Sequence, residues 1–280
     1  MIKKIIKKNL YNFLISINKV FINLLGKNYQ DEILSALYPF YDKALILDIN
    51  NDIQFNSICK KIDKKILKNH KHQNLVSLYT TYQCMDYVIK NNIKGDIIES
   101  GVANGRQICL ILEILKNNNI DDYNIILYDT FKGMVKPGKF DHKTYENDNR
   151  NSLRNYDLKK DQFNASTWQA YSLDEVKENL SHIGYPENRI RYIVGNVIET
   201  IPDNNHEYIS FLRLDTDFYD STKVELEYLF SKVVKGGVVI LDDYGAWAGV
   251  KKATDEYFKN NKIFPLLNRT SFKERVFIKI

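Results

Sequence analysis

Phe211-Leu212-Arg213-Leu214-Asp215-Thr216-Asp217 and Val238-Val239-Ile240-Leu241-Asp242-Asp243 are two apolar runs that each end in a pair of aspartates. Both runs predict β-strands, and a helix is predicted between them from about Ser221. A strand–helix–strand connection of this length places two parallel strands side by side or nearly so. Parallel strands bring their carboxyl ends to one edge of the sheet, where open α/β sheets bind ligands. The four aspartates are therefore predicted to lie close together.

Two interpretations of these acids are open. Neighbouring carboxylates raise one another's pKa unless a cation or a functional proton lies between them. Aspartate is also common at strand ends because it caps the helix or turn that follows. Capping explains a single aspartate well, whereas two pairs on consecutive strands favour a functional cluster.

The same alternation begins earlier in the chain. A first strand is predicted at Asp96–Glu99, a turn at Ser100–Arg106 and a helix at Gln107–Lys116, and a second strand, Ile125–Tyr128, ends at Asp129. A glycine-bearing turn after the first strand lets a ligand approach the backbone closely. An acid at the end of the second strand is placed to accept hydrogen bonds from ribose hydroxyls. Together these features predict an α/β fold that binds a nucleotide-type cofactor.

The turn itself bears on the choice of cofactor. The dinucleotide fingerprint needs three glycines in the spacing G-x-G-x-x-G to hold a pyrophosphate. Here Gly101 and Gly105 are separated by three residues, and Glu99 precedes the first of them. An acid before the turn suits a cofactor that carries an amino acid, such as S-adenosylmethionine. Glycine in such turns also serves helix–strand packing, so the turn alone does not decide.

The rest of the chain continues the α/β pattern. Phe131–Tyr171 is long, polar and irregular, as in lids and disordered loops, and Ser172 is placed to cap a helix that runs to about His182. Further predicted elements are a strand at Arg189–Val194 that closes at Gly195-Asn196, a helix at about Val250–Phe258, a short strand near Ile263–Leu266 and a last strand at Arg275–Ile280.

Composition indicates a globular protein without a nucleic-acid-binding surface. Of the 280 residues, 44% are hydrophobic and 27% are charged, which is ordinary for a soluble domain. The net charge of +5 owes much to four lysines in the first eight residues, and the remaining basic residues are interspersed with acids. Cys59, Cys84 and Cys109 have no metal-binding spacing, so we expect reduced thiols and a cytoplasmic location.

The N-terminal segment predicts an appendage to the α/β domain. Met1–Gly26 begins like a signal peptide, but polar residues break its apolar run, no cleavage site follows, and it is too polar to span a bilayer. An amphipathic helix fits better, docked on the protein body, on a second subunit or on an anionic membrane surface. We therefore predict a helical N-terminal extension or lid at residues 1–74 and one domain at residues 75–280.

Five segments in the same order resemble the macrocin O-methyltransferase family. They are Gly95–Val102, Tyr128–Gly133, Ser172–Val176, Leu212–Thr222 and Lys235–Tyr244. The family consists of class I S-adenosylmethionine-dependent enzymes that methylate sugar hydroxyls, and the resemblance covers about Leu75–Phe258. It implies a Rossmann-like class I methyltransferase domain with a mostly parallel seven-stranded sheet, helices on both faces and a divalent metal, usually Mg²⁺, beside the methyl donor.

The resemblance also implies roles for individual residues. Asp215, Asp242 and Asp243 would be the metal ligands, and Asp217 would be the general base. Glu99 and Gly101 would contact the methionine part of the cofactor, and Asp129 its ribose. The full cofactor-binding set is Glu99, Ser100, Gly101, Asp129, Thr130, Gly195, Asn196 and Asp215. The chain departs from the family pattern at Ala103-Asn104 and in the length of the Phe131–Tyr171 loop, and both flank the cofactor or the acceptor.

The predicted function is methyl transfer to a sugar hydroxyl in bacterial surface-glycan or natural-product biosynthesis. Mg²⁺ takes oxygen ligands and leaves coordination positions for a vicinal diol, whose hydroxyl pKa it lowers. We expect a small-molecule sugar or glycan acceptor, no nucleic acid and a homo-oligomer. The alternatives are a metal-dependent methyltransferase acting on a catechol or another small diol, a nicotinamide-dependent oxidoreductase, and a non-catalytic protein anchored through its N-terminal helix.

Overall fold

One β-sheet organises the described part of the chain, which in this computed structural model comprises residues 49, 51–65, 75–162 and 166–280. Ile53–Ile280 forms a compact unit. Its strands are β1 (Asp96–Ser100), β2 (Ile125–Asp129), β3 (Ile190–Val194), β4 (Ile209–Leu214), β5 (Val233–Leu241), β6 (Asn268–Arg269) and β7 (Arg275–Ile278). Within the described residues these seven strands form one sheet in the order β3-β2-β1-β4-β5-β7-β6.

Helices connect most of the strands. They are α1 (Ile53–Lys65), α2 (Leu75–Lys90), α3 (Arg106–Asn117), α4 (Arg150–Leu158), α5 (Leu173–Ser181), α6 (Val197–Thr200), α7 (Tyr219–Leu229) and α8 (Ala248–Asn260), with 3-10 turns at Glu187–Arg189 and Phe230–Lys232. As predicted, α5 begins with a side-chain cap, because the Ser172 hydroxyl accepts a hydrogen bond from the Glu175 backbone N–H.

The register of the strands aligns the carboxyl ends of β1, β4 and β5. β1 pairs in parallel with β2 and β4, and β4 pairs in parallel with β5. Ser100 lies opposite Leu214, and Leu214 lies opposite Leu241, so β1, β4 and β5 end level. β7 joins β5 in antiparallel orientation, and β6 joins β7 in the same way. The structure thus confirms the Rossmann-like, mostly parallel α/β fold.

The strands carry apolar side chains on both faces because helices cover both faces. On one face Leu212 and Leu214 of β4 belong to a core cluster with Leu226 of α7 and Phe258 of α8. On the opposite face Arg213 hydrogen-bonds to Ser77 of α2. β4 is therefore buried along its whole length and β1 from Ile97 to Ser100.

Two elements differ from the sequence-based prediction. The short strand expected near Ile263–Leu266 is formed instead at Asn268–Arg269, because Pro265 lacks the backbone N–H that a strand ladder needs. The Phe131–Tyr171 segment is not wholly irregular, since it contains α4. That helix was missed because its sequence is polar and, of its residues, only Ser152 is buried.

Most of the predicted N-terminal extension, including the amphipathic helix at Met1–Gly26, lies outside the described residues. The described helix α1 packs on α3 through ion pairs of Lys61 with Glu113 (2.5 Å) and of Asp63 with Arg106 (2.6 Å). The compact unit accordingly begins at Ile53, within the segment that the sequence analysis assigns to the extension.

Two further observations concern the expectations from composition. Cys59 and Cys109 are buried and Cys84 is half-buried, and none of the three forms a disulfide within the described residues. Among the helices that the structure describes, none combines the length and the apolar character that crossing a membrane requires.

Candidate active site

The turn after β1 makes close backbone contact with the turn after β4. Gly101 has a φ of +83°, and a Cβ atom at this position would lie 2.1 Å from the Asp215 carbonyl oxygen. Only glycine avoids both the strained φ and the collision. The glycine therefore lets two strand ends approach each other at the edge of the sheet, where the predicted cofactor and metal residues lie.

Asp129 at the end of β2 holds this turn in place. One carboxylate oxygen accepts hydrogen bonds from the backbone N–H groups of Val102 (2.7 Å) and Ala103 (3.2 Å), and the other accepts from Phe131 (2.7 Å). Asp129 thus has a structural task as well as the ribose-binding task predicted for it. The oxygen that accepts from Phe131 keeps a lone pair for a further donor, whereas the oxygen that accepts from both Val102 and Ala103 does not, so the two tasks are compatible through the first oxygen.

A pocket opens between these turns. Six of the predicted site residues line it: Gly101, Asp129, Thr130, Asn196, Asp215 and Asp217. Ser100 is fully buried at the end of β1, and Gly195 donates its N–H to the Asp129 carbonyl oxygen at 2.9 Å. Met134, Val135 and Phe218 add an apolar wall, and sequence reasoning did not find them.

Glu99 is the buried acid beneath the glycine turn. It is 1% exposed, and its Oε2 atom has no hydrogen-bond partner among the described residues. Burial raises the pKa of its carboxyl to about 8, although Arg213 acts in the opposite direction. A buried carboxylate oxygen without a donor is costly. The amino group of an amino-acid-bearing cofactor is a donor of the charge and size that this oxygen needs.

Three aspartates meet at the carboxyl ends of β4 and β5. Leu214 lies opposite Leu241, and the Asp242 N–H donates to the Leu214 carbonyl oxygen at 3.0 Å. Asp215 and Asp243 are thereby brought to the same place, and one carboxylate oxygen from each of the three aspartates lies within 4.8 Å of the others. Hard oxygen ligands in this number suit Mg²⁺.

Asp217 reaches this cluster by a route that strand geometry did not predict. In a strand that continued to Asp217, the side chains of Asp215 and Asp217 would share a face, but β4 ends at Leu214 and Asp217 has a φ of +67°. The left-handed turn, not strand alternation, brings its carboxyl against that of Asp243. Burial and then Asp243 raise the pKa of Asp217 well above its ordinary value.

Two cations that the sequence analysis did not assign compensate the aspartates. Arg213 is 2% exposed and donates to Asp242 (2.6 Å) and Asp215 (2.8 Å). Lys273, from the turn before β7, donates to Asp242 and lies 3.6 Å from Asp243. Although burial opposes it, Lys273 and Arg213 hold the pKa of the Asp242 carboxyl well below its usual range.

The segment between β2 and α4 closes over one side of the cluster. The Thr144 N–H donates to the Ala246 carbonyl oxygen at 2.9 Å, and Ala248 donates in return to His142 at 2.8 Å. Between them the Lys143 ammonium lies 3.6 Å from the ring centroid of Trp247. Burial lowers the pKa of Lys143, and the nearby carboxylates of Asp243 and Asp217 act in the opposite direction.

Of the residues that the sequence-based prediction missed, Arg213 could have been identified from the sequence. Arg213 interrupts a run of buried apolar residues, and arginine is almost never fully buried unless it is paired, so an ion pair with the neighbouring aspartates was predictable. Lys273 and Lys143 carry no such signal. Each belongs to a loop that meets the cluster only after the chain has folded.

Comparison with known proteins agrees with this geometry. The family model described as macrocin-O-methyltransferase matches residues 76–273. A demethyldecarbamoylnovobiocin O-methyltransferase from Streptomyces niveus is 31% identical over 175 residues, which is 62% of each chain. A tetracenomycin-C 4'-O-methyltransferase from Streptomyces olivaceus, whose named substrate carries a dimethoxyrhamnosyl group, is 26% identical over 62% of each chain.

A solved structure of an O-methyltransferase resembles this fold. The structure of the O-methyltransferase NovP superposes with a TM-score of 0.63 at 27% identity, covering 74% of this chain and 80% of that one. The chain spans 62% of the length of the Streptomyces niveus relative. Because the family model covers well over half of the sequence, from α2 to the turn that precedes β7, the chain belongs to the macrocin O-methyltransferase family.

Proposed function

We propose that the protein transfers a methyl group from S-adenosylmethionine to a sugar hydroxyl with the assistance of Mg²⁺. The observation that carries this proposal is that one pocket is lined both by Gly101, two residues after the buried Glu99, and by the acids Asp215 and Asp217. Membership of the family supports the reaction type. The named rhamnosyl substrate of one relative supports a sugar acceptor.

On the cofactor side, Glu99, Asp129 and Gly101 match the parts of S-adenosylmethionine. Asp129 and Gly101 line the pocket, and Glu99, which is near Gly101 in the sequence, is buried without lining it. Glu99 would accept a hydrogen bond from the methionine ammonium, and Asp129 would accept one from the ribose. Gly101 leaves the backbone accessible between them. The bound cofactor supplies an electrophilic methyl group on a sulfonium.

On the metal side, the three aspartates fit Mg²⁺ in charge and ligand type. Asp215, Asp242 and Asp243 would hold the ion, with Arg213 keeping Asp242 and Asp215 in position from the sheet side. Bound Mg²⁺ lowers the pKa of a coordinated hydroxyl.

Asp217 would be the general base. Its carboxylate would accept the proton of the acceptor hydroxyl while that oxygen forms a bond to the methyl carbon and the carbon–sulfur bond breaks. A half-buried carboxyl with a raised pKa suits this task, because a base is most effective when its pKa is close to the working pH. General-base assistance contributes ~10² to 10⁴ in rate.

A second candidate acceptor is a catechol or another small diol. The observation in its favour is the apolar wall of Met134, Val135 and Phe218, with Trp247 packed edge-on behind Phe218 at 5.4 Å. Such a wall receives an aromatic ring as readily as the apolar face of a sugar. The place of the reaction in surface-glycan or natural-product biosynthesis, a cytoplasmic location, homo-oligomer formation and membrane contact through residues 1–26 stay predictions.

The experiment that tests the proposal is calorimetry with S-adenosylhomocysteine and, separately, with NADH. We expect the first to bind and the second not to bind. Glu99→Gln should weaken S-adenosylhomocysteine binding by ~10- to 100-fold, because a charge-assisted hydrogen bond contributes about 1.5–3 kcal/mol. The exposed Glu178→Gln is the matched control and should bind like wild type. Binding of NADH, or of neither ligand, would contradict the proposal.

A further inference from the structure

Lys273 lies where the proposed metal would need to bind. Its ammonium donates to Asp242 and is 3.6 Å from Asp243, so it bridges two of the three proposed ligands. Asp242 is fully buried, and its two oxygens are shared by Lys273 on one side and Arg213 on the other. A divalent ion cannot approach both Asp242 and Asp243 while the ammonium lies between them.

The backbone of Lys273 is fixed against the metal-binding turn. The Gly245 N–H donates to the Lys273 carbonyl oxygen at 2.7 Å. A Cβ atom on Gly245 would lie 2.1 Å from the Phe272 carbonyl oxygen, so the two turns are in backbone contact. The Ser271 hydroxyl accepts from the N–H groups of Lys273 (3.3 Å) and Glu274 (3.0 Å). These contacts hold the backbone of Lys273 beside the aspartate cluster.

The side chain of Lys273, in contrast, is partly exposed to solvent. The side chain of Lys273 is 23% exposed, whereas that of Arg213 is 2% exposed. Lysine has a flexible four-carbon stem, and arginine has a planar fork that here contacts two carboxylates. Of the two cations on Asp242, Arg213 is fixed within the sheet and Lys273 is the one able to leave.

Charge balance favours the replacement of the Lys273 ammonium by Mg²⁺. Three aspartates carry three negative charges, and Arg213 and Lys273 neutralise two of them. Replacement of the ammonium by Mg²⁺ would neutralise all three. Without either cation, one oxygen of the buried Asp242 would lose its positive partner and Asp243 would be left with Lys143 as its neighbouring cation, and breaking a buried ion pair destabilises a folded protein.

We propose that Lys273 is a built-in counter-ion of the metal site, which holds Asp242 and Asp243 together in the metal-free protein and must swing out when Mg²⁺ binds. This inference rests on the metal-dependent function proposed above. Lys273 would then set the affinity and the selectivity for the metal. A cation that binds weakly would not displace the ammonium, and Lys273 would stay paired with Asp242 and Asp243.

The test is Mg²⁺ titration by calorimetry of wild type, Lys273→Met and Lys251→Met. Lys251 is an exposed lysine paired with Asp255 on α8 and serves as the matched control. We expect Lys273→Met to bind Mg²⁺ about tenfold more tightly or better, because the ion no longer competes with a charge-assisted pair. We also expect its Tm to rise more with Mg²⁺ than that of wild type. Equal or weaker binding by folded Lys273→Met would overturn the inference.

If Lys273→Met does not fold, a measurement on the wild-type protein tests whether Lys273 leaves the aspartates when Mg²⁺ binds. Reductive methylation of lysines, followed by mass spectrometry, should modify Lys273 several-fold faster at saturating Mg²⁺ than in chelator, with Lys251 as the internal reference. An unchanged rate at Lys273 would overturn the inference. S-adenosylhomocysteine binding is measured in the same samples: if it persists, only the role of Lys273 has failed, and if it is absent, the methyltransferase proposal has failed as well.

Discussion

Arg213 shows how one residue organises the charges of the site. It occupies an otherwise apolar strand, where burial would lower the pKa of its guanidinium but Asp215 and Asp242 raise it. Its planar fork contacts both aspartates at 2.8 and 2.6 Å. Such a pair orients its partners more than it stabilises the fold, because desolvation of the ions offsets much of their attraction. The aspartates are therefore held in position before a metal or an acceptor arrives.

At Asp217 we predict a loss of turnover without a loss of binding. Asp217→Asn keeps the shape of the side chain and removes its basicity, so methyl transfer should fall by ~10² or more. Affinities for S-adenosylhomocysteine and Mg²⁺ should stay near those of wild type. The measurement is transfer of labelled methyl groups to a panel of free and nucleotide-linked hexoses, together with calorimetry of both ligands.

The exposed Asp220→Asn, from the first turn of α7, is the control for this substitution and should be silent. If Asp217→Asn releases Mg²⁺ while Asp215→Asn retains it, the roles assigned to the two acids are exchanged. If neither substitution changes the rate, the pair has no part in catalysis.

At the scale of elements, the site is a contact between turns. The turn after β1 is held by the Asp129 carboxylate and lies directly on the turn after β4 at Gly101. The turn after β5 in the same way lies on the turn before β7 at Gly245. Backbone contacts of this kind leave little freedom to the side chains that the turns carry, which suits a site that must hold its charges in a fixed arrangement.

For the first of these contacts we predict that Gly101→Ala lowers the free energy of unfolding by roughly 2–5 kcal/mol. About 1–2 kcal/mol comes from the left-handed backbone, and the remainder from the collision with the Asp215 carbonyl oxygen. Gly236→Ala is the matched control, since φ is +85° there but the nearest atom to the added Cβ is 3.5 Å away. Urea denaturation measures both variants, and equal losses would show that the turn contact is not tight.

At the scale of the whole molecule, we propose that the methyltransferase domain begins at Ile53 and not at Leu75. α1 buries Phe55, Ile58 and Ile62, and the ring of Phe55 lies 5.0 Å from that of Tyr79 on α2. Without α1, the buried carboxylate of Glu113 would also lose its partner. The helix therefore completes the core on the side of α2 and α3.

This boundary predicts different behaviour for two truncated chains. A chain that begins at Ile53 should unfold cooperatively and bind S-adenosylhomocysteine with the affinity of the full chain. A chain that begins at Leu75 should lose at least ~3 kcal/mol of unfolding free energy, because each large apolar side chain buried by α1 contributes about 1.5–3 kcal/mol. Thermal and urea unfolding compare the two. Equal stability would place the boundary after α1.

The fold class and the position of the acids along it follow from local patterns in the sequence. Apolar runs that alternate with amphipathic segments predict a parallel sheet, and in such a sheet the residue that follows each strand lies at the carboxyl edge whatever the details of packing. For that reason the meeting of Asp215, Asp242 and Asp243 was predictable from local patterns alone. The roles assigned to these residues stay predictions.

The groups that neutralise and flank these acids are brought together by contacts between segments that lie far apart in the sequence. Lys273 and Lys143 come from loops far along the chain from the aspartates that they face, and a contact between distant loops leaves no local periodicity to read. The left-handed turn at Asp217 and the polar helix α4 were missed for a related reason. Tertiary contacts determine the conformation of such turns and of exposed helices. Helix propensity and the spacing of apolar residues do not contain that information.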